Sequence, residues 1–411
     1  MNRFFIILCI IGAYSCDLFR SRPEIRELAR NLNTKHIQDM NVCDSFVANI
    51  VVKTVFSMNI DDYLHVTKYI PLEAKDNILI GTINKLLMHN DRIFILDRDI
   101  SKSIFIFRDD GGYISRISKH GSKPDEYRYL RDMEVDTIKR QIIVYDQNGK
   151  LLYYDFDGKY IKTKRLGFRF SEFKIFPDEK FLFFTDNNNN HFNTDINDYS
   201  LLIGTSESII NFRALKNNNF LTKLNYVGRN NCFGSNGRIY VCPRLSNSIY
   251  EVTSGGTLRK LYQIHLPTGT MDDYIQMNPK NFLDEATSKN YFFSLGSDVF
   301  INDSIIYFHF FDAKKKYNML WINRTKNLYY CVNHAFSSTG RIIDLPLPLF
   351  SSNNLCIGQI DATLVEQKKK SFIEAHKNYQ GEDKIPGSIL QKIENMKEDG
   401  NPLLVIYKIK W

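Results

Sequence analysis

Lys123, Glu126, Tyr127, Arg128 and Arg131 are the side chains whose types and spacing best suit chemistry: one carboxylate, one phenol and three cations in a single short stretch. Together they offer hydrogen bonds and charge to a polar ligand, and Gly121 and Pro124 mark the stretch as a loop. A packing role is the competing use, with Glu126 and Tyr127 locking neighbouring structural units together. The other chemistry-bearing residues are scattered. None of the nine His residues forms H-E-x-x-H, and His309, alternating with aromatics in Ile305 to Phe311, suits a core or a channel wall. Asp155-Phe156-Asp157-Gly158 lacks the further carboxylates of a calcium loop and is explained as a hairpin turn. No G-x-S-x-G elbow, Walker loop or dinucleotide fingerprint is present, so no catalytic residue and no metal ligand is assigned.

A repeat positions this loop. Ile93-Phe94-Ile95-Leu96-Asp97, Ser103 to Phe107 and Asp110-Gly111-Gly112-Tyr113-Ile114 recur as Ile142-Ile143-Val144-Tyr145-Asp146, Leu151 to Tyr154 and Asp157-Gly158-Lys159-Tyr160-Ile161. A period of roughly 40 to 50 residues holding several short strands is the signature of a β-propeller blade, which buries its faces only by stacking on its neighbours. A third unit spans Phe173 to Phe212, around an Asn-rich loop from Asp186 to Asp198 that reads as surface disorder or a recognition loop. The fourth is read as Leu221 to Val227, then Gly237 to Cys242, Ser248 to Val252 and Leu258 to Ile264. The fifth follows an insertion, Met271 to Tyr291, and runs from Asp298 to Val332. The sixth takes Gly340 to Leu345, Asn354 to Ile360 and strands from both ends, Leu64 to Ile70 and Asn401 to Trp411, because an open ring would leave unpaired edges. The fold class is therefore all-β: a six-bladed β-propeller closed by N- and C-terminal strands, with short helical insertions. Residues 59–411 form the propeller, with a helical insertion at about 364–398.

Bulk properties agree with this. In 411 residues, 30 Phe and 23 Tyr stand against 2 Trp, a bias toward strand formers. The formal net charge of +8 carries no dense basic stripe, and Lys314-Lys315-Lys316 and Lys368-Lys369-Lys370 read as solvated faces; no nucleic-acid partner is expected.

Arg3, an apolar run from Phe4 to Ala13, and then Tyr14-Ser15-Cys16 make a signal segment too short for a permanent membrane helix. Small Ala13 and Ser15 before Cys16 resemble the lipobox of bacterial lipoproteins, in which the Cys thiol accepts a diacylglyceryl group. Residues 1–15 are then the signal peptide, Cys16 the lipidation site and residues 16–58 a tether and lead-in. Two acyl chains suffice for stable anchoring, so the expected location is the cell envelope, lipid-anchored, on the outer-membrane or periplasmic side. Of the remaining cysteines, Cys232 and Cys242 could bridge neighbouring strands, although buried free thiols explain them as well.

Ile70-Pro71-Leu72-Glu73, Leu79-Ile80-Gly81, Ile93 to Asp97, Gly121 to Tyr127 and the closing Asn401 to Lys408 resemble the six-bladed β-propeller lipoproteins of Bacteroidota, related in architecture to NHL-repeat and TolB-like propellers. The resemblance spans about residues 60 to 411. Its loop reads approximately G-x-G-P-G-E-Y; this chain keeps Gly121, Pro124, Glu126 and Tyr127 and has Lys123 and Asp125 in place of two glycines. The resemblance places that loop between the outer strand of one blade and the inner strand of the next, at the mouth of the central channel. The leading reading is a non-enzymatic binding or scaffold module for a peptide, glycan or protein partner, which the fold alone does not establish; the chain is expected to be monomeric and to need no cofactor. The alternative is a metal-dependent hydrolase, lactonase or lyase, with Ca2+ held in the channel by Asp, Glu and Asn side chains of several inner strands.

Overall fold

The computed structural model describes residues 23–411 apart from 45–46, 53–55, 75–77, 187, 218–219, 221–222, 225–229, 295, 313, 315, 327, 378 and 382–383. The signal segment and Cys16 lie outside the described residues. The chain enters through helix α1 (Pro23–Arg30) and four short strands, β1 (Gln38–Asp39), β2 (Asn41–Cys43), β3 (Ala48–Val51) and β4 (Phe56–Asn59), followed by β5 (Leu64–Pro71). Six sheets then form the propeller.

Blade 1 is β6 (Lys85–His89), β7 (Arg92–Asp97), β8 (Ser103–Arg108) and β9 (Tyr113–Ile117). Blade 2 is β10 (Leu130–Asp136), β11 (Gln141–Asp146), β12 (Lys150–Asp155) and β13 (Tyr160–Arg165). Blade 3 is β14 (Glu172–Ile175), β15 (Phe181–Phe184), β16 (Tyr199–Gly204) and β17 (Ile210–Lys216). Blade 4 is β18 (Cys232–Ser235), β19 (Arg238–Val241), β20 (Ser248–Val252) and β21 (Thr257–His265). Blade 5 is β22 (Phe300–Ile301), β23 (Ile305–Phe311), β24 (Tyr317–Asn323) and β25 (Leu328–Phe336). Blade 6 is β26 (Leu347–Ser352), β27 (Leu355–Ile360) and β28 (Leu403–Ile409), completed by β5 as its outer strand. The six inner strands neighbour one another in a closed ring, β6–β10–β14–β18–β22–β26–β6.

Two inner strands differ from the sequence reading. Among the described residues blade 4 begins at Cys232, and most of Leu221 to Val227 lies outside them; blade 6 begins at Leu347, and Gly340 to Leu345 is irregular. Both true strands are interrupted, by Gly234 and Pro348, and so lack the apolar run that marks a strand. The Asn-rich loop is folded, with a helical turn at Thr194–Asn197, and Asn190 is buried with its side chain tied to both the N–H and the C=O of Arg169. Buried Cys232, Cys242, Cys331 and Cys356 form no disulfide, and Cys232 sits opposite Val241 rather than Cys242.

The repeat's terminal Asp has a mechanical purpose. Buried Asp97 accepts from the N–H of Gly81 at 2.7 Å and of Ile100 at 3.1 Å, and buried Asp146 accepts from the N–H of Arg128 and Tyr129. Each carboxylate therefore fastens the loop after its own strand to the chain entering its blade. The apolar faces of the blades pack into shared clusters: Leu87, Phe94, Ile104 and Ile106 of blade 1 join Met133, Ile142, Val144 and Leu152 of blade 2.

Residues expected as a lead-in form a belt. β1 pairs in parallel with β17, β2 and β3 with β21, and β4 with β25, covering the outer edges of blades 3, 4 and 5. These short strands satisfy backbone groups that would otherwise be open edges. At Gly167, between blades 2 and 3, an added Cβ would lie 2.3 Å from the carbonyl oxygen of Leu28, so α1 approaches only because no side chain intervenes.

Ring closure rests on β28 against β5 and on one buried side chain beside them. Asn401 Nδ2 donates to the carbonyls of Glu73 and Ile78, both at 2.7 Å, and its Oδ1 accepts from the Ile80 N–H at 2.8 Å. Helices α2 (Ala362–Lys377) and α3 (Gly387–Glu394) fill the span between β27 and β28 and bury Val365, Phe372 and Ile393 with blade 6. Replacing Asn401 by Ala strips partners from three backbone groups and is expected to lower stability by about 3 kcal/mol. A denaturant titration checks this; an unchanged midpoint would show that the closure does not depend on Asn401.

Candidate functional site

Charged residues at every second position of the inner strands converge on the propeller axis: Lys85 from blade 1, Asp132 and Glu134 from blade 2, Glu172 and Lys174 from blade 3. All five are buried. Lys85 Nζ lies 2.8 Å from Asp132 Oδ1 and 2.6 Å from Glu134 Oε1, and Lys174 Nζ lies 2.7 Å from the same Glu134 oxygen. The remaining carboxylate oxygens reach across to backbone: Asp132 Oδ2 accepts from the Phe173 N–H at 3.0 Å, and Glu172 accepts from the N–H groups of Asn231 and Cys232, each at 3.0 Å. Every one of these contacts joins one blade to the next. Asn230, entering blade 4, donates to the Asn84 carbonyl of opposite blade 1 at 3.2 Å and to Asp298 of blade 5 at 2.6 Å, so its amide spans the axis.

The lattice sets the protonation of its members. Burial raises the Glu134 carboxyl, but Lys174 and Lys85 outweigh it and hold it below its ordinary value. Burial opposes the charge on Lys85, while Asp132 and Glu134 reverse the sign and raise its pKa strongly. Glu172 goes the other way: burial and the charge of Asp132 push it up to about 7, against its two N–H donors and Lys85. Burial and Glu172 also push the Cys232 thiol well above its usual range, which makes it an inert thiol rather than a nucleophile.

Toward the hairpins that follow the inner strands, a cavity of about 340 Å3 opens, lined by residues of all six blades, with Lys85, Glu134 and Lys174 at its inner end and Leu87, Phe176 and Phe350 among its walls. Among the described residues no group of three or more His, Cys, Asp or Glu side chains is arranged to hold a metal ion. The axial carboxylates are close together, but lysines and backbone N–H groups occupy their oxygens.

The loop predicted from the sequence lies on the opposite face, where it covers the seam between blades 1 and 2 instead of converging on the axis. Tyr127 is fully buried and donates to the carbonyls of Lys102 at 2.7 Å and Ile117 at 3.1 Å. Lys150 Nζ donates to the carbonyls of Lys123 and Glu126, Tyr154 to that of Asp125 and Thr163 to that of Pro124. Lys123 and Asp125 both avoid positive φ, and the Lys123 side chain is 77% exposed. Arg128 is held through its backbone by Asp146. Of the five predicted residues only Arg131 has the axial charges around it, Asp132 and Glu172 among them. His309 is a core residue of β23, its ring stacked on Tyr317 at 4.9 Å. Asp155 closes a hairpin, its Oδ1 accepting from the N–H groups of Asp157 and Lys159.

Sequence reasoning missed the lattice, although Asp132-x-Glu134 and Glu172-x-Lys174 were visible: two charges at strand spacing face the same side, and in an inner strand that side is the axis.

A family model described as "Domain of unknown function (DUF4934)" matches residues 46–408. The solved structure of a "Putative exported protein" from Bacteroides fragilis NCTC 9343 is similar, with a TM-score of 0.69 and 16% identity over 89% of this chain and 100% of that chain. A member of the DUF4221 family from Bacteroides vulgatus ATCC 8482 gives a TM-score of 0.47 and 10% identity over 84% of this chain and 98% of that one. The first likeness shows the six-bladed fold. No curated protein matches the chain.

The raised pKa of Glu172 predicts a pH signature. A carboxyl with a folded pKa above its unfolded value contributes stability that is complete below the unfolded pKa, about 4.5, and is lost as pH rises through about 7. Glu172→Gln removes this titration, so wild type should lose on the order of 3 kcal/mol relative to the variant between those pH values. Denaturant titrations of both proteins across that range measure it; a difference that stays constant or grows in favour of wild type would contradict it.

Proposed function

The chain belongs to the DUF4934 family, whose model takes in most of its length, and from that premise we propose that it is an exported, lipid-anchored propeller that binds a peptide, glycan or protein partner and performs no catalysis. One observation carries the reading. The axial carboxylates, which a metal-dependent propeller enzyme would direct at a metal, are tied instead to Lys85, Lys174 and the backbone of the neighbouring blade. Breaking such buried pairs to admit a cation costs several kcal/mol, so the axis is built as a stable hub. The rigid faces around it are left to present loops.

Export is supported by the order of Arg3, the apolar run and Cys16, and by the name of the Bacteroides fragilis protein that shares the fold. With Cys16 acylated, the few residues before α1 would reach at most roughly 25 Å. The propeller would then stand close to the membrane, with its belt as the tethered side.

The test of function is a screen of the purified protein against peptides and glycans, run beside lactone and ester substrates with and without added Ca2+. Saturable binding without turnover is expected; cation-dependent turnover would favour the hydrolase, lactonase or lyase alternative. Cys16→Ser is expected to move the protein from the membrane fraction to the soluble fraction. Immunoblotting of the two fractions measures this, and unchanged membrane retention would count against lipidation.

A further inference from the structure

Arg131 is the extra residue of a β-bulge, lying between Leu130, which pairs with Asp146, and Asp132, which pairs with Tyr145. A bulge leaves its extra residue out of the ladder and turns its side chain. The Arg131 Nε is buried and has no hydrogen-bond partner among the described residues, and no carboxylate there forms an ion pair with its guanidinium. The carboxylates nearby are engaged elsewhere. Asp186 is held by Arg244, with Nε to Oδ1 at 2.8 Å, while Asp132 is paired with Lys85 and Glu172 accepts from two backbone N–H groups. Arg98, from the loop after β7, adds a second positive charge and pairs with Asp99.

Asp186, Glu172 and Asp132 act on Arg131 through their charge but none forms an ion pair with it, and a buried guanidinium N–H left without an acceptor is costly. Arg98 and Arg131 are both partly open to solvent, on the face opposite the 340 Å3 cavity, so an anion can approach from outside. The planar fork of Arg matches the two oxygens of a carboxylate. One open positive charge balances a monoanion, whereas a phosphate dianion would bring surplus negative charge toward Asp186, Asp132 and Glu172.

We propose that Arg131 binds a carboxylate group of the propeller's ligand at the loop face of the axis, with Arg98 beside it as the supporting charge. This rests on the reading of the propeller as a binding module and names the chemistry its ligand presents. Acidic sugars and peptide C termini both carry such a group.

The test titrates the purified protein, at constant ionic strength, with glucuronate, with a tripeptide bearing a free C terminus, with the same tripeptide amidated, and with inorganic phosphate. Thermal unfolding and calorimetry are the readouts. Wild type should show a saturable rise in midpoint with glucuronate or the free tripeptide, the responding arm identifying the source, and none with the amide. Arg131→Met should keep a midpoint at or above wild type in carboxylate-free buffer, because it removes a buried N–H that has no acceptor, and its affinity for the responding carboxylate should fall at least tenfold. If Arg131→Met does not fold, Arg131→Gln is read by calorimetry with the same expected loss. Unaltered carboxylate affinity in the variant, no response to any carboxylate, or a response to phosphate alone would overturn the proposal. A partner from the peptide and glycan screen that binds wild type and Arg131→Met equally would overturn this site while leaving the binding module in place.

Discussion

Six inner strands brought to one axis must find partners, within a few ångströms, for the charged side chains they bury there. Lys85, Asp132, Glu134, Glu172 and Lys174 meet this constraint with one another and with backbone N–H groups, and Asn230 bridges from blade 4 to blade 1. Each tie joins two blades, so filling the axis and closing the ring are the same event. Hydrophobic stacking between blades supplies most of the stabilisation, but it is not directional. The charges fix the order and the register of the inner strands, since a one-residue slip would turn them into the apolar interior.

The outer rim meets the same constraint with different means. A propeller blade ends in an open strand, and blades 3, 4 and 5 have theirs covered by the parallel strands of the N-terminal belt. Blade 2 ends in β13, which carries Lys162, Lys164 and Arg165, charges that discourage pairing with another chain. Blade 6 borrows β5 from the start of the chain and is locked by Asn401. On the loop face, Tyr127 is buried between blades 1 and 2 and seals their seam.

Most of the fold was legible in the sequence because its clearest units, blades 1 and 2, repeat both strand pattern and the terminal Asp97 and Asp146 that fasten them. Legibility failed where a strand is short or broken: Cys232–Ser235 and Leu347–Ser352 contain Gly and Pro, and the belt strands have only two to four residues, too few to show a period. The candidate site was less legible. The Gly121 to Tyr127 loop stands out in sequence because packing at the seam demands particular residues, whereas the axial lattice consists of ordinary charges that acquire meaning only when three blades meet. Arg131 was identifiable as a charged residue near that loop, but its place at a bulge, with a buried Nε that has no partner among the described residues, was announced by no sequence pattern.

The central claim is that the axial carboxylates hold the propeller together rather than serving a reaction. Hydrogen exchange at the amides of Phe173, Asn231 and Cys232, which donate to Asp132 and Glu172, tests it most directly. The account predicts that these amides exchange only through global unfolding and that adding Ca2+ leaves their rates unchanged. Exchange as fast as that of surface loops, or a marked change in rate on adding the cation, would contradict it.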